Sequence, residues 1–86
     1  MTVNGTRLVV ERVDTNSRRP WIFVTGRLEG DPLRIGDTVT IDADKQQPTA
    51  TVRSIEVHTA PGMTTIAIDA SLKPQVHAGT VISRTR

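Results

Sequence analysis

The segment spanning residues 21–41 constrains the fold of this chain more than any other. It contains two β-favouring runs, separated by a Gly-Asp-Pro turn at residues 30–32 and a Gly-Asp turn at residues 36–37. Glycine permits backbone angles that end a strand, and proline donates no hydrogen bond to a sheet ladder. Apolar and polar residues alternate through residues 38–42, which indicates one buried face and one wet face. The segment therefore predicts a compact antiparallel β unit.

The rest of the chain repeats this pattern of short alternating runs between turn formers. Apolar residues recur at every second position, and no segment has three turns of helical periodicity. The predicted strands are residues 8–13, 21–29, 38–42, 50–59, 63–69 and 80–84. We expect one all-β domain over residues 1–86, with residues 1–6 frayed. A small antiparallel barrel of six to seven strands is favoured over a sandwich, because closing so small a sheet removes its edges.

Two connections carry more detailed expectations. In the predicted fourth strand, Ala50 and Val52 lie on one side, whereas Ile55 and Val57 lie on the other. An extra residue would bring both pairs inward, so we predict a bulge or bend at residues 53–54. After the fifth strand, a connection over residues 71–79 is expected, with Leu72 and Val76 as its anchors in the core.

Composition limits the class of protein. With 86 residues the chain suits one core, and with no cysteine it has neither disulfides nor thiolate metal sites. No apolar run approaches the roughly 20 residues of a membrane helix, and the N-terminus lacks the features of a signal peptide. We therefore expect a soluble, cytoplasmic protein that contacts no membrane. The formal charge of +2 is too small to imply nucleic-acid binding by itself.

Catalytic and metal-binding groups are sparse. The chain has two histidines, four serines and no tyrosine, and no nucleophile stands in a recognisable pattern with a base. His58 and His77 lack zinc-ligand spacing, and a solvated loop explains Asp42 and Asp44 better than a cation site does. We expect no enzymatic activity, no catalytic residues, no cofactor and no bound metal.

Candidate binding residues come first from the aromatic and basic side chains. Trp21, Phe23 and Arg27 share one side of a strand. If the intervening apolar residues fill the barrel, these three form an outward stacking patch for a base or a protein partner. If a bulge reverses the parity, the rings belong to the core, and this second interpretation is favoured for at least one of them.

The arginines offer a second candidate surface. Nine of the eleven basic residues are arginine, whose planar fork suits bidentate contacts to phosphate or carboxylate. Genomic base composition also explains this bias, and that interpretation is favoured. A discontinuous basic surface and a solvated rim remain alternatives, with the rim favoured, for Arg18, Arg19, Arg53, Arg84 and Arg86.

Two runs in the middle of the chain carry a resemblance to a known family. They are Val24-Thr25-Gly26-Arg27-Leu28-Glu29-Gly30 and Leu33-Arg34-Ile35-Gly36-Asp37-Thr38-Val39. They resemble the signature of the second, β-barrel domain of translational GTPases such as elongation factor Tu. Shorter matches follow in order at residues 51–52, 55–58, 61–62, 66–68, 76 and 79–82. The resemblance covers nearly the whole chain.

The resemblance implies a closed Greek-key barrel that binds without catalysis. In that family the strand matching residues 55–58 helps to hold the aminoacylated end of transfer RNA, which makes Glu56 and His58 candidate binding residues. Directly after His58, residues 59–61 replace a longer basic loop. No glycine-rich loop ending in Gly-Lys-Ser or Gly-Lys-Thr is present, so we expect no GTP binding. The expected partner is RNA or a ribosome-associated protein; the alternative is a protein-interaction or structural module without a nucleic-acid role.

Overall fold

The computed structural model of the protein describes residues 5–15, 18–42, 47–57 and 62–85. Within these ranges the chain forms seven strands and one 3₁₀ helix. The strands are β1 (Gly5–Thr15), β2 (Trp21–Gly30), β3 (Thr38–Asp42), β4 (Thr49–Thr51), β5 (Ser54–Val57), β6 (Met63–Asp69) and β7 (Val81–Thr85). The 3₁₀ helix is Ala70–Gln75 and connects β6 to β7. None of the described residues forms a helix long and apolar enough to cross a membrane.

All seven strands belong to one antiparallel sheet in the order β4-β3-β7-β1-β2-β6-β5. The all-β prediction is confirmed. The sheet is curled into a half-barrel, and its two end strands, β4 and β5, are consecutive in the chain. Only Val52 and Arg53 separate them. A link this short between opposite ends of the sheet requires the sheet to curl.

The predicted fourth strand is therefore wrong as a single strand, and the break falls beside the predicted bend. Val52 is fully buried; its N–H donates to the Asp37 carbonyl at 2.9 Å, and its carbonyl accepts from the Gly36 N–H at 2.8 Å. The next N–H, that of Arg53, donates to the Ala67 carbonyl in β6 at 2.8 Å. The chain thus leaves the β3 side of the sheet and joins the β6 side within two residues.

The concave face of the sheet contains the core. It is built from aliphatic side chains: Leu8, Val10, Ile22, Val24, Leu33, Val39, Ile41, Ala50, Val52, Ile66, Ile68, Val76 and Ile82. Burial of this apolar surface is the main favourable term in folding. Val76 is an anchor as predicted, and Leu72 packs against the cluster while only partly buried.

The ends of the first strand differ from the prediction. The strand begins at Gly5 and continues to Thr15, so residues 5–6 belong to the sheet and residues 14–15 extend the strand beyond its predicted end. Thr6 is buried, and its hydroxyl donates to the Asp31 carbonyl at 2.6 Å. This bond joins the start of β1 to the turn after β2, which is why Gly5 and Thr6 do not fray. Residues 1–4 lie outside the described ranges.

A bulge in β1 explains a close approach at Gly26. The β1–β2 register shifts between Val10 and Arg12, which leaves Glu11 as the extra residue. The shift keeps Val13 packed against the core. At the same place a Cβ on Gly26 would lie 2.2 Å from the Val9 carbonyl oxygen. The bulged part of β1 therefore leaves no space for a side chain at position 26, and glycine there allows the two strands to pair.

We expect Gly26→Ala to lower the free energy of unfolding by about 3 kcal/mol or more, because the obstructing atom is backbone and two paired strands must separate. Urea unfolding followed by circular dichroism measures this loss. Gly36→Ala is the matched control: its φ is +96°, but no atom lies within 4 Å of the added Cβ. Only the backbone conformation is strained there, at about 1–2 kcal/mol. Equal losses in the two variants would contradict the close approach.

Asp37 ties the start of β3 to β7. Its Oδ2 accepts from the Arg34 N–H at 2.8 Å and from the Arg84 guanidinium. The Asp37 and Arg84 side chains are 22% and 18% exposed. The N–H of Arg34 and the charge of Arg84 hold the Asp37 pKa below its ordinary value of 3.8. Arg84 is therefore engaged in a partly buried ion pair and is not part of a solvent-exposed basic surface.

This pair predicts how stability depends on pH. The Asp37 pKa is lower in the folded chain than in the unfolded chain, so the ionised carboxylate adds to the free energy of unfolding above the ordinary pKa of 3.8. This stabilisation disappears as the pH falls through the pKa of the folded chain. We expect Asp37→Asn to lower the thermal midpoint at pH 7 and to match the wild type near pH 2, measured by circular dichroism. Asp42→Asn, at an exposed position in β3, is the control. A deficit that persists unchanged at low pH would rule out the ion pair as its cause.

Candidate binding surface on the outer face of the sheet

Both aromatic rings of the chain lie outside the core. Ile22 and Val24 are fully buried on the concave face, and side chains alternate along a strand. Trp21 and Phe23 therefore project from the convex face, where both are half-buried. The interpretation favoured from the sequence, that at least one ring belongs to the core, is wrong. The bulge that could have reversed the parity lies in β1 and leaves β2 regular.

The sheet register brings further predicted residues to the same face. Phe23 lies between Asp14 of β1 and Ala67 of β6. Thr25 lies between Arg12 of β1 and Thr65 of β6, and Glu56 of β5 pairs with Thr65 in turn. Directly opposed residues of antiparallel strands share a face. We call the set Arg12, Trp21, Phe23, Arg27 and Glu56 the outer patch.

A buried floor lies beneath the middle of the outer patch. The hydroxyls of Thr25 and Thr65 share a hydrogen bond of 2.7 Å, and these residues are 6% and 5% exposed. Ala67 beside them is fully buried although it also lies on the convex face. These small side chains lie in the centre of the face, with the longer side chains of the outer patch around them. Its polar atoms are satisfied, so it requires no ligand for its own stability.

Arginines flank the row of side chains that contains the two rings, and their charges are accessible. The Arg19 guanidinium lies 5.0 Å from the centre of the Trp21 ring, a cation–π distance. Arg12 bonds to Asp14 at 2.9 Å, and Arg27 lies 3.8 Å from Glu11. The Arg12 and Arg27 side chains are 66% and 64% exposed. Such solvated pairs are weak, so a ligand phosphate can compete for these guanidinium groups.

The remaining predicted residues are distributed around the outer patch. Arg18 and Arg19 are exposed in the turn that leads into β2. Arg53 is exposed at the bend between β4 and β5 and lines a separate cleft of about 380 Å³. His58 lies outside the described residues. Arg86 also lies outside them. Of the candidates predicted from the sequence, the structure thus places Trp21, Phe23, Arg27 and Glu56 on one face, with Arg19 over the indole.

Two residues of this surface were not predicted. Arg12 reaches the outer patch only because of the bulge at Glu11. Leu8 and Val10 differ in parity from Val13, but Val9 is also apolar and hides this break in the sequence. Asp69 lies directly across from Trp21, a pairing that requires the β2–β6 register. Arg12 and Asp69 could be assigned to this surface only if the pairing of the strands were known.

The described residues contain no group of three or more His, Cys, Asp or Glu that could hold a metal ion. Comparisons of the chain with protein-family models, with curated proteins and with solved structures found no match. The resemblance to the second domain of translational GTPases therefore rests on the sequence alone. In the structure, its two longest runs occupy β2 and the turn that leads into β3.

The half-buried position of Trp21 predicts its fluorescence. Because Trp21 is the only tryptophan, emission reports on this site alone. We expect emission at a longer wavelength than that of a core tryptophan, quenching by acrylamide, and faster quenching in Arg19→Ala, where the covering guanidinium is absent. Chain unfolded in urea provides the fully exposed reference. A blue-shifted band that acrylamide does not quench would show that the ring is buried and would remove it from the patch.

Proposed function

We propose that this chain is a non-enzymatic module of the cytoplasm that binds RNA through the outer patch. The observation that supports this most directly is the pair of rings outside the core, bordered by the exposed arginines Arg12, Arg19 and Arg27. Aromatic platforms beside basic side chains are the usual means of holding single-stranded nucleic acid. The resemblance to translation-factor barrels adds a reason to expect RNA or a ribosomal setting.

The positions of Trp21 and Phe23 along β2 suit stacked bases. Trp21 and Phe23 are two positions apart in an extended strand, which separates their Cα atoms by about 6.6 Å. This is about twice the 3.4 Å step between stacked bases. Each stacked base contributes about 1–3 kcal/mol. The neighbouring arginines would contact the phosphates, which fixes the position of the strand without reading its sequence.

The same proposal includes a closed Greek-key barrel. Two features support it: the ends of the sheet meet through Val52 and Arg53, and the connection from β6 to β7 passes two intervening strands, β2 and β1. A closed barrel would hold the convex face of β2 rigid, and a rigid face lowers the entropy lost when a flexible strand binds.

Titration of fluorescently labelled single-stranded RNA at rising salt tests this function. We expect the logarithm of affinity to fall with that of salt, with a slope of about −0.7 for each phosphate contacted. Trp21→Ala should weaken binding by about tenfold with little change of slope, because it removes a stacking platform. Arg27→Gln should reduce the slope by about one contact. Arg34→Gln removes the same charge from an exposed residue outside the outer patch and should behave as the wild type.

Absence of RNA binding at low salt would contradict the proposed function.

The second candidate, a protein-interaction module, is favoured by the edge strand β4. The Ile41 N–H donates to the Pro48 carbonyl, and the Val52 N–H donates to the Asp37 carbonyl. Because hydrogen-bonded and non-hydrogen-bonded pairs alternate along an antiparallel ladder, the backbone groups of Thr49 point away from β3. Such an edge can pair with another chain. A dimer that persists on dilution in light scattering, together with no RNA binding, would establish this candidate instead.

A further inference from the structure

A polar cleft lies between β4 and the end of β6, where the two ends of the curled sheet face each other without a ladder between them. Thr38, Thr49, Ala50 and Thr51 form one wall, and Arg53, Asp69, Ser71 and Leu72 form the other. Its volume is about 380 Å³. It exists because β5 pairs with β6 only as far as Ala67, whereas β6 continues to Asp69. The last residues of β6 therefore face β4 across a gap.

On both sides of this gap, backbone groups are directed away from the neighbouring strands of the sheet. The Ala70 N–H donates to the Pro20 carbonyl at 2.9 Å. Hydrogen-bonded and non-hydrogen-bonded pairs alternate along β2 and β6, so the next pair, Trp21 and Asp69, is not hydrogen-bonded, and the backbone groups of Asp69 point away from β2. On the opposite wall, the backbone groups of Thr49 and Thr51 are directed away from β3 by the same rule. The side chains that line the cleft include threonine and serine hydroxyls, the Arg53 guanidinium and the Asp69 carboxylate, so the cleft offers both donors and acceptors.

Asp69 connects the cleft to the outer patch. It lines the cleft and is also the cross-strand neighbour of Trp21. Its Oδ1 accepts from the Ser71 N–H at 2.8 Å. The N–H and hydroxyl of Ser71, with the charge of Arg53, keep the pKa of Asp69 below its ordinary value. Because its pKa is lowered, Asp69 stays ionised at neutral pH. A carboxylate has about four acceptor positions, so Asp69 can accept further hydrogen bonds.

A carboxylate at this position has a cost and a benefit. It repels the phosphates of any nucleic acid whose bases stack on Trp21. That repulsion is offset when the ligand brings a hydroxyl donor to the carboxylate. RNA has such a donor, the ribose 2′-hydroxyl, and DNA does not. Arg53 on the same wall suits the adjoining phosphate.

We propose that the cleft recognises the ribose of a nucleotide stacked on Trp21, with Asp69 accepting from the 2′-hydroxyl, so that the protein selects RNA over DNA. This inference rests on the proposed function and adds its basis for selectivity. Asp69 is the selecting residue, and Arg53 with the hydroxyls of the cleft holds the sugar-phosphate backbone.

The test compares single-stranded RNA and DNA of one sequence, with uracil replaced by thymine, in the same anisotropy assay. The wild type is expected to bind RNA about tenfold more tightly, as one hydrogen bond to a charged acceptor allows. In Asp69→Asn the amide oxygen still accepts from Ser71, but the negative charge is gone. RNA affinity should fall and DNA affinity should rise, which brings their ratio close to one.

Two controls separate the ribose contact from charge alone. Asp42→Asn removes one negative charge from an exposed residue of β3 that does not line the cleft. It should change RNA and DNA affinity equally. Against the wild type, 2′-O-methyl RNA, which has no hydroxyl donor, should bind as weakly as DNA.

Equal binding of RNA and DNA by the wild type would overturn the inference and leave the proposed function standing. An RNA preference that survives in Asp69→Asn would also overturn it. If neither nucleic acid binds at low salt, the proposed function fails, and the inference fails with it.

Discussion

The passage of the chain from β4 to β5 through Val52 and Arg53 is the constraint on which the rest of the structure depends. These strands are the two ends of the sheet, and a flat sheet of seven strands would separate them by about 29 Å. Two residues cannot span that distance, so the sheet must curl. The backbone bonds of Val52 with Gly36 and Asp37 fix the place where the ends meet.

Curling creates a narrow concave space, and the core is composed accordingly. Its members are all aliphatic, which allows short branched side chains from opposite strands to meet. The two aromatic residues, Trp21 and Phe23, are on the convex face instead, although large rings gain most from burial. Placing both rings on the surface gives up part of that stabilisation. Rings beside exposed arginines are more readily explained by recognition than by folding.

The sequence predicted the parts of this structure that depend on local alternation. Residues 38–42 and 63–69 form strands over the predicted ranges, and the parity break after Val52 marked the place where the chain changes partners. The bulge at Glu11 could not be found in this way, because Val9 and Val10 are both apolar and give β1 no clear parity. The face on which Trp21 lies depends on which of its neighbours fill the core, and that is set by strands distant in sequence.

The same distinction applies to the candidate site. Trp21, Phe23 and Arg27 are grouped by alternation along one strand, so the sequence could group them. Glu56 joins them only through β6, and Asp69 reaches Trp21 only through the β2–β6 register. A net charge of +2 gives weak attraction to any polyanion, so the proposed affinity for RNA would come from short-range stacking and hydrogen bonds. In the proposed RNA complex, the Asp69 carboxylate beside Trp21 would weaken the long-range attraction only slightly and would act mainly on the sugar that it contacts.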